Sequence, residues 1–135
     1  MIVTEQEINE MRNFVSDLNS MKQSLVIVEG KRDSAALKKI GFSGKVLEYH
    51  KFGGIIKFTD SVAKYKNLIL LFDGDKKGKH FTRKTIQLLQ RRTNIDLTFK
   101  RKLTSITKGK IRFIEQLVCY ESVFLRPDSS FVKGV

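Results

Sequence analysis

Near the N-terminus the apolar residues of this chain recur every three or four positions; further on they collect into short unbroken runs, and the two patterns alternate from there. Ile8, Met11, Phe14, Val15, Leu18 and Met21 predict an amphipathic helix over residues 4–22, with Thr4 and Glu7 placed to form a capping box. Leu25–Val28 is a β-branched run suited to a buried strand. Asp33–Ile40 returns to helical spacing, with Gly41 as its C-cap. Lys45–Lys51 predicts a second strand, and residues 55–65, after Phe52-Gly53-Gly54, a helix. Asn67–Phe72 is the most apolar strand candidate. Gly78–Arg92 predicts a helix, Ile95–Phe99 a strand and Ile111–Val118 a closing helix.

One helix followed by repeated strand–helix units predicts an α/β fold. The expected architecture is a compact, Rossmann-like, roughly four-stranded and mainly parallel sheet with helices on both faces. A chain of 135 residues makes one domain. Residues 1–23 are expected to form a helix packed on a domain of residues 24–125. Residues 126–135, which include the only proline, Pro127, are expected to be a loosely ordered polar tail.

Composition narrows the setting. No apolar run approaches the ~20 residues of a membrane span, and the acidic start Met1–Glu7 lacks the apolar core of a secretory signal. The lone Cys119, read as a core filler in an apolar helical run, has no internal disulfide partner, so the chain is expected in the cytoplasm. The formal net charge is +12, and its distribution is uneven. Residues 76–112 hold 13 Lys and Arg against the single acid Asp96, while the other 98 residues balance 13 against 13. Such a block points to a polyanionic partner, nucleic acid first. A merely solubilising or thermally adapted surface is the plainer alternative, although thermal adaptation raises acids and bases together.

The candidate chemistry lies at two strand ends. Leu25–Val28 runs into Glu29-Gly30, and Leu68–Phe72 into Asp73-Gly74-Asp75. In open parallel sheets, ligands bind at this carboxyl edge. Three carboxylates from neighbouring strand ends suit Mg²⁺, a hard ion that takes its other ligands from water and phosphate, and the ion relieves their repulsion. Each acid also has an ordinary reading: Glu29 as a turn residue paired with Lys31, Asp75 as an acid at a helix N-terminus.

Rival motifs fail on spacing. A calcium loop starting at Asp73 would place Lys77 and Lys84 at its fifth and twelfth positions, where oxygen ligands are needed. Gly30-Lys31 lacks the upstream glycine of a P-loop and is followed by Arg32. His50 and His80 have no metal-type spacing.

Val28-Glu29-Gly30-Lys31-Arg32-Asp33, followed some 40 residues later by Leu71-Phe72-Asp73-Gly74-Asp75-Lys76-Lys77-Gly78, resembles a Toprim domain over about residues 24–120. That domain is shared by topoisomerases, bacterial-type primases, repair proteins and maturation ribonucleases. The likeness is closest to small stand-alone Toprim proteins, with Thr98–Lys102 matching a basic strand and Ile114-Glu115 a closing helix. The resemblance implies that Glu29 is a general acid or base and a metal ligand, and that Asp73 and Asp75 coordinate Mg²⁺, with Mn²⁺ as an alternative. It implies phosphodiester cleavage, of RNA in preference to DNA, and makes the chain a Mg²⁺-dependent nuclease and hydrolase. The competing expectation is a non-catalytic nucleic-acid-binding adaptor working with protein partners in a larger complex. No topoisomerase is expected, because Tyr49, Tyr65 and Tyr120 lie in regular elements and there is no room for a strand gate. Lys31, Lys76, Lys77, Arg83, Lys84, Arg91, Arg92, Lys100, Arg101 and Lys102 are the candidate phosphate contacts.

Overall fold

The computed structural model describes residues 3–124, so the expected tail at 126–135 lies outside the described residues. Four strands, β1 (Ser24–Val28), β2 (Val46–Glu48), β3 (Asn67–Leu70) and β4 (Asn94–Asp96), form a sheet in the order β2-β1-β3-β4. All three pairings are parallel. The helices are α1 (Glu5–Ser20), α2 (Lys31–Lys39), α3 (Ile55–Val62), α4 (Lys76–Leu89), α5 (Thr98–Thr107) and the short α6 (Glu121–Phe124).

Strand periodicity divides the core in two. Val26, Val28, Ile69 and Leu71 point to one face, where α1, α2 and α5 cover them with Phe14, Leu18, Leu37, Phe99 and Leu103. Leu25, Ile27, Leu68, Leu70 and Phe72 point to the other, beneath Phe58 and Val62 of α3 and Leu89 of α4. Because β1 and β3 are covered on both faces, they read as continuous apolar runs and not as alternation. Burying these apolar side chains stabilises the fold by ~25 cal/mol for each Å² removed from water.

Topology then fixes the site. From β1 the chain passes through α2 to β2 on one side, and through α3 to β3 on the other. The helices leaving β1 and β3 therefore depart to opposite faces, and a crevice opens beyond the carboxyl ends of these two strands.

Five expectations change. The second strand stops at Glu48, and Tyr49–Lys51 turns as a 3₁₀ helix that drives Tyr49 into the core against Phe58, Phe72 and Phe81. The strand expected at Ile95–Phe99, with its basic continuation through Lys102, ends at Asp96. The Asp96 carboxylate accepts hydrogen bonds from Thr98 N (2.7 Å) and Thr98 Oγ1 (2.5 Å), and this turn starts α5. Phe99 and Leu103, four apart, then bury against α1, with the Phe14 and Phe99 rings edge to face at 5.8 Å.

The expected closing helix Ile111–Val118 is instead a 3₁₀ helix, Ile114–Tyr120. Its three-residue period buries Ile114, Leu117 and Tyr120 and leaves Cys119 exposed, so that cysteine is no core filler. At α1, Thr4 Oγ1 accepts from Glu7 N (3.0 Å), but Glu7 does not complete the box. Its buried carboxylate accepts hydrogen bonds from the Tyr120 hydroxyl and from Lys110 Nζ (3.0 Å), which ties α1 to the end of the domain.

Candidate metal and nucleic-acid site

Glu29 and Asp73 meet at the mouth of the crevice. Glu29 ends β1 and is 6% exposed, and its Oε2 accepts a hydrogen bond from Asp73 N at 2.9 Å. The expected alternative pairing with Lys31 is not how Glu29 is used. The Asp73 carboxylate in turn accepts from Ile114 N at 2.7 Å, holding the N-terminus of the 3₁₀ helix, and Gly74 N donates to Arg112 O at 2.6 Å. The segment at residues 112–114 is thus docked on the acidic turn.

Gly78 explains why this turn needs a glycine three residues past its second acid. A Cβ there would stand 1.9 Å from the Asp73 carbonyl oxygen. Only glycine lets the first turn of α4 fold back so tightly against the end of the strand.

Asp75 behaves as its ordinary reading predicts: it is the N-cap of α4 and accepts from Gly78 N at 2.8 Å. Among the described residues, no three His, Cys, Asp or Glu side chains form a grouping arranged to hold a metal. The donor chemistry does fit a hard divalent cation, because carboxylates are gathered in a poorly solvated place. Burial first, and then the charge and proximity of Asp73, push the Glu29 carboxyl up to about 7. A bound cation offsets both effects.

Sequence reasoning missed Asp33. This residue is 7% exposed, and its Oδ2 accepts from Gly30 N at 3.1 Å, closing the first turn of α2. Burial and the Asp73 charge push its carboxyl up to about 6. The available signal was the spacing Gly30-x-x-Asp33, an acid at the third helical position able to reach back to the cap.

Beside Asp73 and Gly74 lies a groove of about 420 Å³ between α4 and α5. Lys79, Arg83, Lys100, Arg101 and Arg112 line it, along with Thr82 and Thr104. Of the expected phosphate contacts, Arg83, Lys100 and Arg101 are here, while Lys31, Lys76, Lys77, Lys84, Arg91, Arg92 and Lys102 are not among its lining residues. Arg92 pairs with Asp60 at 4.0 Å, Lys77 lies over the Phe81 ring, and Lys102 pairs with Asp17 at 3.9 Å and covers the Phe99 ring.

The trio Lys100–Lys102 splits because it is helical, so successive side chains leave about 100° apart. Lys79 and Arg112 were missed because the basic block is too dense for sequence to say which cations share a face. Lys79 and Arg83, four apart on α4, are the legible part of that pattern. Lys100 differs from its neighbours: burial lowers the pKa of its ammonium, and the charges of Asp73, Glu29, Asp75 and Asp33 act against that.

The chain is similar in sequence to several archaeal proteins and in fold to one solved structure. The chain is 29% identical over 114 residues to a UPF0292 protein of Thermococcus sibiricus, covering 84% of this chain and 83% of the relative. It is 30% identical over 105 residues to a UPF0292 protein of Methanosarcina acetivorans, covering 76% and 72%. A solved structure described as a putative protein from Aquifex aeolicus superposes with a TM-score of 0.64 at 26% identity, covering 77% of this chain and 94% of that one. The Toprim domain model matches residues 24–115, from the first residue of β1 into the closing 3₁₀ helix. With β1, the acidic turns and the docked 112–114 segment all inside that match, the chain belongs to the Toprim domain family.

Proposed function

We propose that this protein is a Mg²⁺-dependent nuclease that cleaves phosphodiester bonds in RNA in the cytoplasm, with Glu29, Asp73 and Asp75 as its centre. Membership of the Toprim family points to metal-dependent, nucleic-acid-related work. The observation that carries the finer reading is the meeting of Glu29 and Asp73 at the sheet's switch point, beside a groove lined by five cations. RNA is preferred to DNA because of the likeness to maturation ribonucleases.

Asp73 and Asp75, with Glu29, would supply the oxygen donors for a divalent cation. When bound, a divalent cation offsets the charge that builds on the reacting phosphate. Glu29 Oε2 is engaged by Asp73 N, so Oε1 takes a proton from the attacking hydroxyl or water as its oxygen bonds to phosphorus, while the scissile P–O bond breaks and the departing oxygen takes a proton from solvent. Arg83, Arg101, Lys79 and Arg112 bind and orient the backbone along the groove.

The capping bond of Asp75 favours a second reading, in which the acids hold a structural ion and the chain is a non-catalytic adaptor that binds nucleic acid beside protein partners. The test is incubation of the purified protein with structured RNA and with DNA, with and without Mg²⁺. The nuclease reading expects RNA products that need Mg²⁺ and vanish in Asp73→Ala. Identical product patterns for the two forms would sink it. RNA binding retained after Ala substitution of all three acids, with no turnover by any form, would establish the adaptor.

A further inference from the structure

Of the five cations lining the groove, Lys79, Arg83, Arg101 and Arg112 are exposed, and Lys100 alone is withdrawn from solvent. It sits one residue past the buried Phe99 on α5, with Thr104 four positions on along the same wall. Its Nζ lies 3.7 Å from the point a Cβ on residue 74 would occupy, between the two acids of the Asp73-Gly74-Asp75 turn. Four carboxylates act on this ammonium. Even so, among the described residues no ion pair within 4 Å ties it to any one of them. A lysine shared by four acids and bonded to none is placed as a counter-charge and keeps its three N–H donors for something that enters the groove.

We propose that Lys100 is the resident counter-cation of the acidic turns, opposing a divalent cation for the same carboxylates and donating to a phosphodiester oxygen beside Asp73 once the substrate strand lies in the groove. This rests on the reading of Glu29 and Asp73 as a divalent-cation site. The ligand it takes is a phosphodiester group, held by charge and N–H donors with no contact to a base. Lys100 and the incoming ion are antagonists, since each satisfies the same negative charge. Arg101, exposed on the outer wall, attracts phosphate without opposing the ion.

The experiment measures Mn²⁺ binding to the whole chain by calorimetry and by loss of the free-ion resonance signal, with no nucleic acid present. Lys100→Met is expected to bind Mn²⁺ about tenfold more tightly than the wild type, as loss of a like charge a few ångströms away predicts. Arg101→Met and Lys100→Arg are expected to match the wild type, the second because it keeps the charge. In EDTA, a labelled single-stranded oligoribonucleotide is expected to bind several-fold more weakly to Lys100→Met and to Arg101→Met alike. Equal Mn²⁺ affinity in wild type and Lys100→Met overturns the role of Lys100 while leaving the ion site standing. No Mn²⁺ binding by any form overturns both. Antagonism without RNA cleavage supports Lys100 and counts only against the nuclease reading.

Discussion

Neutralising Glu29 should make the protein more stable, and the size of the gain follows from the site. Its carboxyl is pushed from an ordinary 4.5 to about 7, first by burial and then by Asp73. An acid whose folded pKa is raised favours folding while it holds its proton. Its contribution is therefore intact below pH 4.5, falls as the pH rises towards 7, and is flat above that. At 1.36 kcal/mol per unit, the cost of ionising Glu29 in the fold at pH 8 is about 3 kcal/mol.

Glu29→Gln removes this cost and keeps an oxygen for the hydrogen bond from Asp73 N. In the absence of divalent cations the variant should exceed the wild type by about 3 kcal/mol at pH 8, or roughly 10 °C in melting temperature. The gap should close as the pH falls to about 4.5. Urea denaturation from pH 4 to 9 in EDTA measures it. A variant less stable than the wild type at pH 8, by an amount independent of pH, would refute the reasoning and make Glu29 a structural acceptor.

Further outcomes follow from single contacts. Gly78→Ala should cost about 3 kcal/mol through the clash with the Asp73 carbonyl, and a denaturation midpoint within error of the wild type would contradict it. Burial alone would raise the Glu7 pKa, but hydrogen bonds from Tyr120 and Lys110 and the nearby lysine charges bring it below the usual range, so its stabilisation is present above pH 4.5 and is lost as the pH falls through the lower folded value. Tyr120→Phe should accordingly cost about 1.5–3 kcal/mol at pH 7, and measurably less under acid conditions. Arg83→Gln and Arg101→Gln should each weaken oligonucleotide binding and lower its salt slope by about one, whereas Arg91→Gln and Lys102→Gln leave both unchanged in a fluorescence titration across salt concentrations.

The central strands were legible because Leu25–Val28 and Leu68–Phe72 are apolar on both faces, and the turn glycines bounded them. That legibility extended to the meeting of Glu29 with Asp73, since two parallel strands must end at one edge. Local alternation misled at Ile95–Phe99, and the likeness to a family strand at Thr98–Lys102 extended the error; counting Leu103 with Phe99 as a helical pair reverses both. The turn at Asp96, a side-chain-to-backbone bond over two residues, decides the matter and leaves only a faint trace in sequence. The three-residue apolar period Ile111-Ile114-Leu117-Tyr120 is close enough to helical spacing to read as an α-helix, and that reading puts Cys119 on the wrong side. Asp33 escaped, and Lys100, expected as a phosphate contact, was not expected beside the acidic turn, because both act on that turn from other elements and sequence gives no distance between α5 and the end of β3.

Anomalous diffraction from crystals soaked in Mn²⁺ tests the central claim most directly. The account predicts one strong peak in contact with the Glu29 and Asp73 carboxylates, with Asp75 turned from Gly78 towards it. A map with no peak there, or with Mn²⁺ only at surface carboxylates elsewhere, would contradict it.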